Sequence, residues 1–570
     1  MKRLLLVVAL LLAVSLVPGA ATAYQSPAAG RPSTELTHDE GPFRQVRGAH
    51  VDAMLSPALV LGAAGTSADG APPRFQDPEL LFSLDVGQDI SYAGTGPEQL
   101  LWGPAAVAVT SDGTVWIADG ADHRLLGYTT GGRQVAAVDL SKELVGIGDV
   151  EARGTQLVVL DIAAVVPEVL IVEPYVGEVI DRWPVPEGAR LADGLSGVWV
   201  QPDGSVFAEL EGGIDLRPVG LQADPTASAT YNTEIGEVRI TGSDHTLGGS
   251  ASFLVNNHQL RVNVQNYIGT AQLIGATDSW IGLALDEVSQ HPDGRIMADQ
   301  TVRLIDPNGE QVGIARLPLS SFVVSVAEPV TVTPGGDIIA LIPRSRRVDV
   351  VKLPVVDRLD PVLPSAAEIS VALGAEDLSV GIESCVDRAV MRNTDVGYRT
   401  NSKYLSDTNI NGACTYRTKP RYLGSAGTYS SVSYRWGGFD TVSNFNSHMS
   451  PATGKAGDIT SGTEATCAYG VDCSGFVSRV WQLGYHCTTS CLDNSSVSHS
   501  VGYGSLLEYD IFDKPGSHVI LFRYYSGNGY YVSESTTASS YDRVIYRWIS
   551  SSTVGSGSGY SPYRNNNVCG

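Results

Sequence analysis

Between about residue 80 and residue 355, short runs of Val, Ile and Leu alternate with turns rich in Gly and Asp. Runs this short, bounded by turn residues, predict β-strands rather than helices. A turn glycine followed by an apolar strand recurs at Gly113 (SDGTVWIAD), Gly154, Gly204, Gly249, Gly294 and Gly336. The spacing is roughly 45 residues, about one four-stranded propeller blade, so six anchors predict a six-bladed all-β propeller over residues 80–355.

After residue 381 the pattern changes. In Gly470-Val471-Asp472-Cys473-Ser474-Gly475-Phe476-Val477-Ser478-Arg479-Val480-Trp481, the apolar residues Phe476, Val477, Val480 and Trp481 fall at helical spacing, which places Cys473 at the start of a helix. Apolar strands are expected from His518 to Phe522 and from Tyr530 to Thr536. All seven cysteines, from Cys385 to Cys569, lie in this last third of the chain, which suggests two independently folded units. Pro354, Pro361, Pro364 and an Ala/Ser/Glu stretch mark residues 356–380 as a connector, and residues 24–79 read as a linker or loose arm.

The first 23 residues have the make-up of a secretory leader: Lys2 and Arg3, an apolar run from Leu4 to Val17, and Ala21-Thr22-Ala23 as a cleavage site. No later segment is apolar and long enough to span a bilayer, and with Cys385 as the first cysteine there is no lipid acceptor near the cleavage site. The expected product is a soluble secreted protein of the bacterial envelope or exterior. In that setting six cysteines can pair, with the connectivity left open, and one remains. The net charge of −23 is the sum of −24 before residue 381 and +1 after it, a balance that disfavours nucleic acid as a partner and otherwise reads as a solvated acidic surface. The turn residues Asp112, Asp203 and Asp293 precede glycines and are read as turn formers ahead of a calcium role. The isolated His123, His245, His258 and His291 receive no role.

Cys473 carries the candidate chemistry. Unpaired N–H groups and the positive end of the helix dipole favour a thiolate there, and a thiolate is the nucleophile. Such a nucleophile needs a base, for which His518 at a turn-to-strand junction is the candidate, and a third polar group to orient the imidazole. Glu534 fits that place, with Ser533 on the opposite face as the fallback until the register is known. A zinc site from His486, Cys487 and Cys491 is weighed and set aside in an oxidising compartment, so no metal and no cofactor are expected. Most of the 24 tyrosines follow residue 380, where they suit either sheet packing or a ligand groove.

Two resemblances bear on this reading. Ile117-Ala118-Asp119-Gly120-Ala121-Asp122-His123-Arg124 followed by Leu125-Leu126-Gly127-Tyr128 resembles the motif of NHL-repeat propellers. Tyr434-Arg435-Trp436-Gly437-Gly438-Phe439, then Val471-Asp472-Cys473-Ser474-Gly475-Phe476-Val477, then Tyr509-Asp510 ahead of His518-Val519, resembles the ordered motifs of NlpC-type peptidases. That second resemblance covers residues 385–565 and implies an α+β papain-like domain over 381–570. It also implies Cys473 as nucleophile, His518 as base and Glu534 in the third position. By the same resemblance Tyr434 reaches over the cysteine, Asp472 and Ser474 help hold the peptide end of the substrate, and the substrate is a peptidoglycan stem peptide cut at a D-glutamyl to diamino-acid link. The long segment between Gly438 and Gly470 and the lack of a separate SH3-like wall-binding module depart from the family pattern. A protein or glycan ligand is expected for the propeller. The rival readings are a secreted, propeller-led binding or adhesion protein with a non-catalytic scaffold behind it, and an amide hydrolase or acyltransferase acting on a non-wall substrate.

Overall fold

The computed structural model describes residues 77–569 except 221–228, 292, 319–323, 325, 360–362, 364–384, 451 and 556–558. The expected leader, most of the arm and most of the connector lie outside the described residues.

Residues 79–352 fold into six antiparallel sheets of three or four strands, taken in chain order. Inner strands are buried on both faces, as in Val115–Asp119, where all five residues are buried. Outer strands are wetter, as in Glu178–Pro184, where no residue is buried. This gradient explains why inner strands read as unbroken apolar runs. The first strand, Glu79–Asp85, does not begin the first sheet but pairs with Arg347–Lys352 and completes the last one. Apolar clusters join neighbouring sheets around the series. Trp116 packs with Val150 and Leu170, Val158 with Val198, Trp199 and Leu216 with Val238 and Ile281, and Val302 with Ile338. Ile339 and Val348 then pack with Val107, so the last sheet meets the first. The result is a propeller-like ring closed by strands from both ends of the segment.

Each sheet contains one of the six anchor glycines, but not at the same place. Gly113, Gly154, Gly204 and Gly336 lie in the turn between the first and second strands of their sheets, whereas Gly249 and Gly294 lie between the second and third. A Gly-Asp turn suits any tight hairpin, so the pattern counts sheets without identifying the hairpin. At the fourth anchor the left-handed residue is Gly248 (φ +72°), while a Cβ on Gly249 would come within 1.9 Å of the Asp244 carbonyl oxygen. Asp112, Asp203 and Asp293 accept bonds from the backbone N–H groups two residues on, as turn formers do.

The acidic charge is not all solvated surface. Asp149, Glu209 and Asp286 are buried, and burial raises the carboxyl pKa of all three, Asp149 to about 6 and Asp286 to about 7. Glu151 and Glu328 join the group; burial and then neighbouring carboxylates push both well up.

The remaining elements start at the helix Arg388–Arg399, capped by Asp387. Their centre is a six-stranded antiparallel sheet in the order Ser498–Ser500, Ser561–Asn565, Ile511–Lys514, His518–Ser526, Gly529–Thr536, Arg543–Ile549. On one face, Val519, Leu521 and Val544 pack against Phe476, Val477, Val480 and Trp481 of the Cys473 segment and against Met391 and Tyr398 of the first helix.

The other face of the sheet packs against the ring. Phe512, Phe522, Tyr530 and Tyr560 share one apolar cluster with Val288, Ile296 and Ala298 of the fifth ring sheet, and Tyr541 and Ile545 share another with the second and third. Polar bonds follow the same seam: Asn528 donates to the carbonyls of Gly212 and Ala271, and Tyr531 donates to Glu211 at 2.9 Å. His245, isolated in sequence, bonds the Gly527 carbonyl, and His123 bonds Ser540. The restriction of cysteine to one part reflects disulfide chemistry and says nothing about which surfaces join.

Candidate active site

Cys473 is the first residue of the helix Cys473–Val480, and Asp472 is its N-cap, accepting from the Gly475 N–H at 2.7 Å. The three disulfides are Cys385–Cys569, Cys414–Cys467 and Cys487–Cys491, and Cys473 is the free thiol. With the sulfurs of Cys487 and Cys491 bonded to each other, they are not zinc ligands here.

His518 opens the strand His518–Ser526 and is buried. The register of this strand with Gly529–Thr536 pairs Leu521 with Ser533, so Glu534 points to the other face. Glu534 Oε2 lies 2.7 Å from His518 Nε2. Ser533, the fallback, instead takes a bond from Arg523. Burial of Glu534 favours its neutral form, but the guanidinium of Arg547 and the His518 ring outweigh that and bring its pKa down to about 2. An ionised carboxylate only accepts, so Nε2 donates its proton to Glu534. Nδ1 is buried with no hydrogen-bond partner among the described residues.

The thiol is close to this strand, and the Val519 amide, next in the chain to His518, favours its ionised form. The structure gives no hydrogen bond between Cys473 and His518; the thiol donates instead to Glu98, whose carbonyl oxygen is 3.5 Å from Sγ and whose Oε2 is 3.8 Å away. Here the sequence expectation of a lowered thiol pKa is reversed. Burial pushes the Cys473 pKa well up, the carboxylates of Glu98 and Asp472 push it further, and the amides of Val519 and Ser474 recover only part of this.

Tyr434 is buried, and its hydroxyl donates to the Glu98 carbonyl oxygen at 3.0 Å. Asp472 and Ser474 are also buried and hold each other: Ser474 Oγ donates to Asp472 Oδ1, and Asp472 also accepts from the Gly437 N–H at 3.0 Å. Both touch His486, whose Nε2 is 2.9 Å from Ser474 Oγ and 3.1 Å from Asp472. Burial opposes the charged His486 ring, but the Asp472 bond and the nearby carboxylates of Asp472, Glu98 and Glu464 raise its pKa overall.

Sequence reasoning missed three contacts of the site: Glu98 with the thiol, His486 with Asp472 and Ser474, and Thr489 with Glu98. His486 has no metal-like spacing, and its position follows from the Cys487–Cys491 loop folding back on Ser474. Thr489 donates its hydroxyl to Glu98 Oε1 at 2.7 Å. Glu98 lies 375 positions away from Cys473, in a Gly/Pro loop with no local signal of contact.

No protein-family model matches the chain, and no curated protein matches it. Among solved structures, one similar chain is a protein of unknown function from Bacteroides caccae, 17% identical over 37% of this chain and 80% of its own, at a TM-score of 0.27. Virginiamycin B lyase from Staphylococcus aureus is 11% identical over 47% of this chain and 98% of its own, at a TM-score of 0.24. BamB from Moraxella catarrhalis is 10% identical over 48% and 98% respectively, also at 0.24.

Proposed function

We propose that the chain is an exported cysteine peptidase in which Cys473 attacks a peptide carbonyl, His518 takes and returns the proton, and Glu534 holds the imidazole. The observation that supports this reading is the buried His518–Glu534 pair, which orients the imidazole and leaves Nδ1 without a bond in a chain whose free thiol is Cys473. Catalytic hydrogen bonds are often long before substrate is bound, so the missing Cys473–His518 bond is compatible with it. The α+β part over 385–569 is then a papain-like domain of the NlpC type, and the six ring sheets are six propeller blades. The substrate class that goes with this reading is peptidoglycan stem peptide, cut between D-glutamate and the diamino acid. Tyr434, Asp472 and Ser474 would shape its binding site.

The ring supplies a place for recognition. A cavity of about 330 Å³ is lined by residues from all six sheets, among them Ser111, Arg153, Gln201, Asn232, Ala276 and Thr333. These turns suit a protein or glycan ligand that brings the peptidase to its target. Among the described residues no helix is long and apolar enough to cross a membrane, and three disulfides suit an extracellular setting.

Digestion of purified muropeptides, followed by mass spectrometry, tests the proposal. New termini that disappear in Cys473→Ala are expected once Cys473 is accessible. An intact substrate in the presence of protein whose Cys473 has been shown to be accessible would favour the adhesin reading.

A further inference from the structure

We propose that residues 96–99 are a built-in plug that occupies the cleft over Cys473 and holds the protein latent until the segment is withdrawn or cut. The consequence for activity rests on the reading of Cys473 as nucleophile; the masking of the thiol does not.

Three consecutive residues of the loop after the first strand are bonded by four separate parts of the C-terminal fold. The Pro97 carbonyl accepts from Trp436 Nε1 at 2.9 Å, and the Glu98 carbonyl accepts from Tyr434 at 3.0 Å. The Glu98 carboxylate accepts from the Thr489 hydroxyl at 2.7 Å and from the Thr489 N–H at 3.3 Å. Gln99 donates to the Ile459 carbonyl at 3.1 Å, and its own carbonyl accepts from Ser517 Oγ at 3.4 Å. Bonding of successive carbonyls from opposite walls is how a cleft holds a peptide.

The backbone is shaped for the position. Gly96 passes so close to Ser461 that a Cβ would lie 2.1 Å from its Oγ. Glu98 takes a left-handed φ of +57°, uncommon for a side chain of this kind, which turns its carbonyl and carboxylate together toward the sulfur. Beyond the plug, Leu100 and Trp102 are buried with Ala538, which fastens the loop at its exit.

Two effects follow. The segment excludes any other peptide from the thiol, which has no solvent exposure. It also places an oxygen-rich group against the sulfur, so the neutral thiol that donates is favoured over the thiolate that attacks. What faces Sγ is the carbonyl oxygen of Glu98 held by Tyr434, so the plug binds as a ligand with its oxygen toward the nucleophile.

The test is the rate at which iodoacetamide alkylates Cys473 in the folded, full-length secreted protein, followed by mass spectrometry, alongside hydrolysis of muropeptides. Wild type should be alkylated at least tenfold more slowly than free cysteine at the same pH. Glu98→Ala should raise the rate at least tenfold, and Thr489→Val, which loosens the same contact from the cleft side, should also raise it. Wild type reacting as fast as free cysteine would overturn the plug, as would either folded variant reacting at the wild-type rate. Faster alkylation without hydrolysis in the variants would leave the plug standing and sink the peptidase reading. Equal hydrolysis by wild type and variants would leave a peptidase with no plug.

Discussion

His518 Nε2 and Glu534 Oε2 meet at 2.7 Å in a place where neither side chain is exposed to water, and Arg547 closes the far side of the carboxylate at 2.8 Å. The carboxylate therefore stays ionised although buried, and it holds the Nε2 edge of the imidazole in place. In the unplugged Glu98→Ala background, His518→Ala should lower turnover by about two to four orders of magnitude, the usual size of a general-base contribution. Melting curves run in parallel check that the loss is chemical; a variant that unfolds but keeps activity per folded molecule would show His518 to be structural.

Glu534 has a second duty, which separates two of its variants. Glu534→Ala removes the partner of Arg547 and leaves a buried cation, a change that typically costs about 3–5 kcal/mol. Glu534→Gln also removes the charge that pairs with Arg547 but keeps a packed side chain with one acceptor oxygen, so it should melt between Glu534→Ala and wild type while still losing turnover. Thermal unfolding of both variants distinguishes the roles, and equal melting temperatures would contradict this account of Arg547.

Because ring and C-terminal sheet share apolar clusters, the full chain should unfold in one calorimetric transition. Residues 79–352 expressed alone would expose the Val288, Ile296 and Ala298 surface and should self-associate or melt well below the full chain. Two resolved transitions in the intact protein, with the isolated ring melting at the position of one of them, would restore the picture of independent units.

Stability should depend on pH through the buried acids of the ring. Their pKa values in the fold are raised, Asp149 and Asp119 to about 6 and Asp286 to about 7, with Glu151, Glu209 and Glu328 also up. The folded state thus keeps protons that the unfolded chain releases. Their stabilising effect is complete below the unfolded carboxylate pKa and is lost as pH rises through the folded values. His486, also raised, acts in the same direction, while His123, lowered first by burial, acts against it. The melting temperature should therefore fall by several degrees from pH 5 to pH 8 at constant ionic strength, and Glu328→Gln should flatten the slope. A melting temperature that climbs over this range would contradict the assignment.

The disulfides should differ in worth. Cys385–Cys569 spans 184 positions and Cys487–Cys491 only 4, so loop-closure entropy assigns about 5 kcal/mol to the first and about 2 kcal/mol to the second. Denaturant titration of the paired serine variants measures both. Cys487→Ser with Cys491→Ser should also free the loop bearing Thr489 and speed alkylation of Cys473, an effect not expected for the Cys385–Cys569 pair.

Local signals in the chain were sufficient for several features because the physics behind them is local. Six turn-strand anchors correspond one to one with six sheets, since a tight turn needs its glycine nearby in sequence. The helix after Cys473 was legible from the spacing of Phe476, Val477, Val480 and Trp481, and the count of seven cysteines left one thiol over. Register was the first thing beyond reach: only strand pairing decided that Glu534, and not Ser533, faces His518, because a shift of one residue exchanges the two faces of a strand. The other undecided features are contacts between segments hundreds of residues apart. Nothing near Glu98 in sequence indicates that it lies over Cys473, and nothing near Tyr530 or Ile296 indicates that they share a core. Helix-start chemistry alone predicts an acidic thiol; burial beside Glu98, which only the assembled fold creates, reverses its sign, because desolvation and a facing carboxylate act through space while the helix dipole acts along the chain.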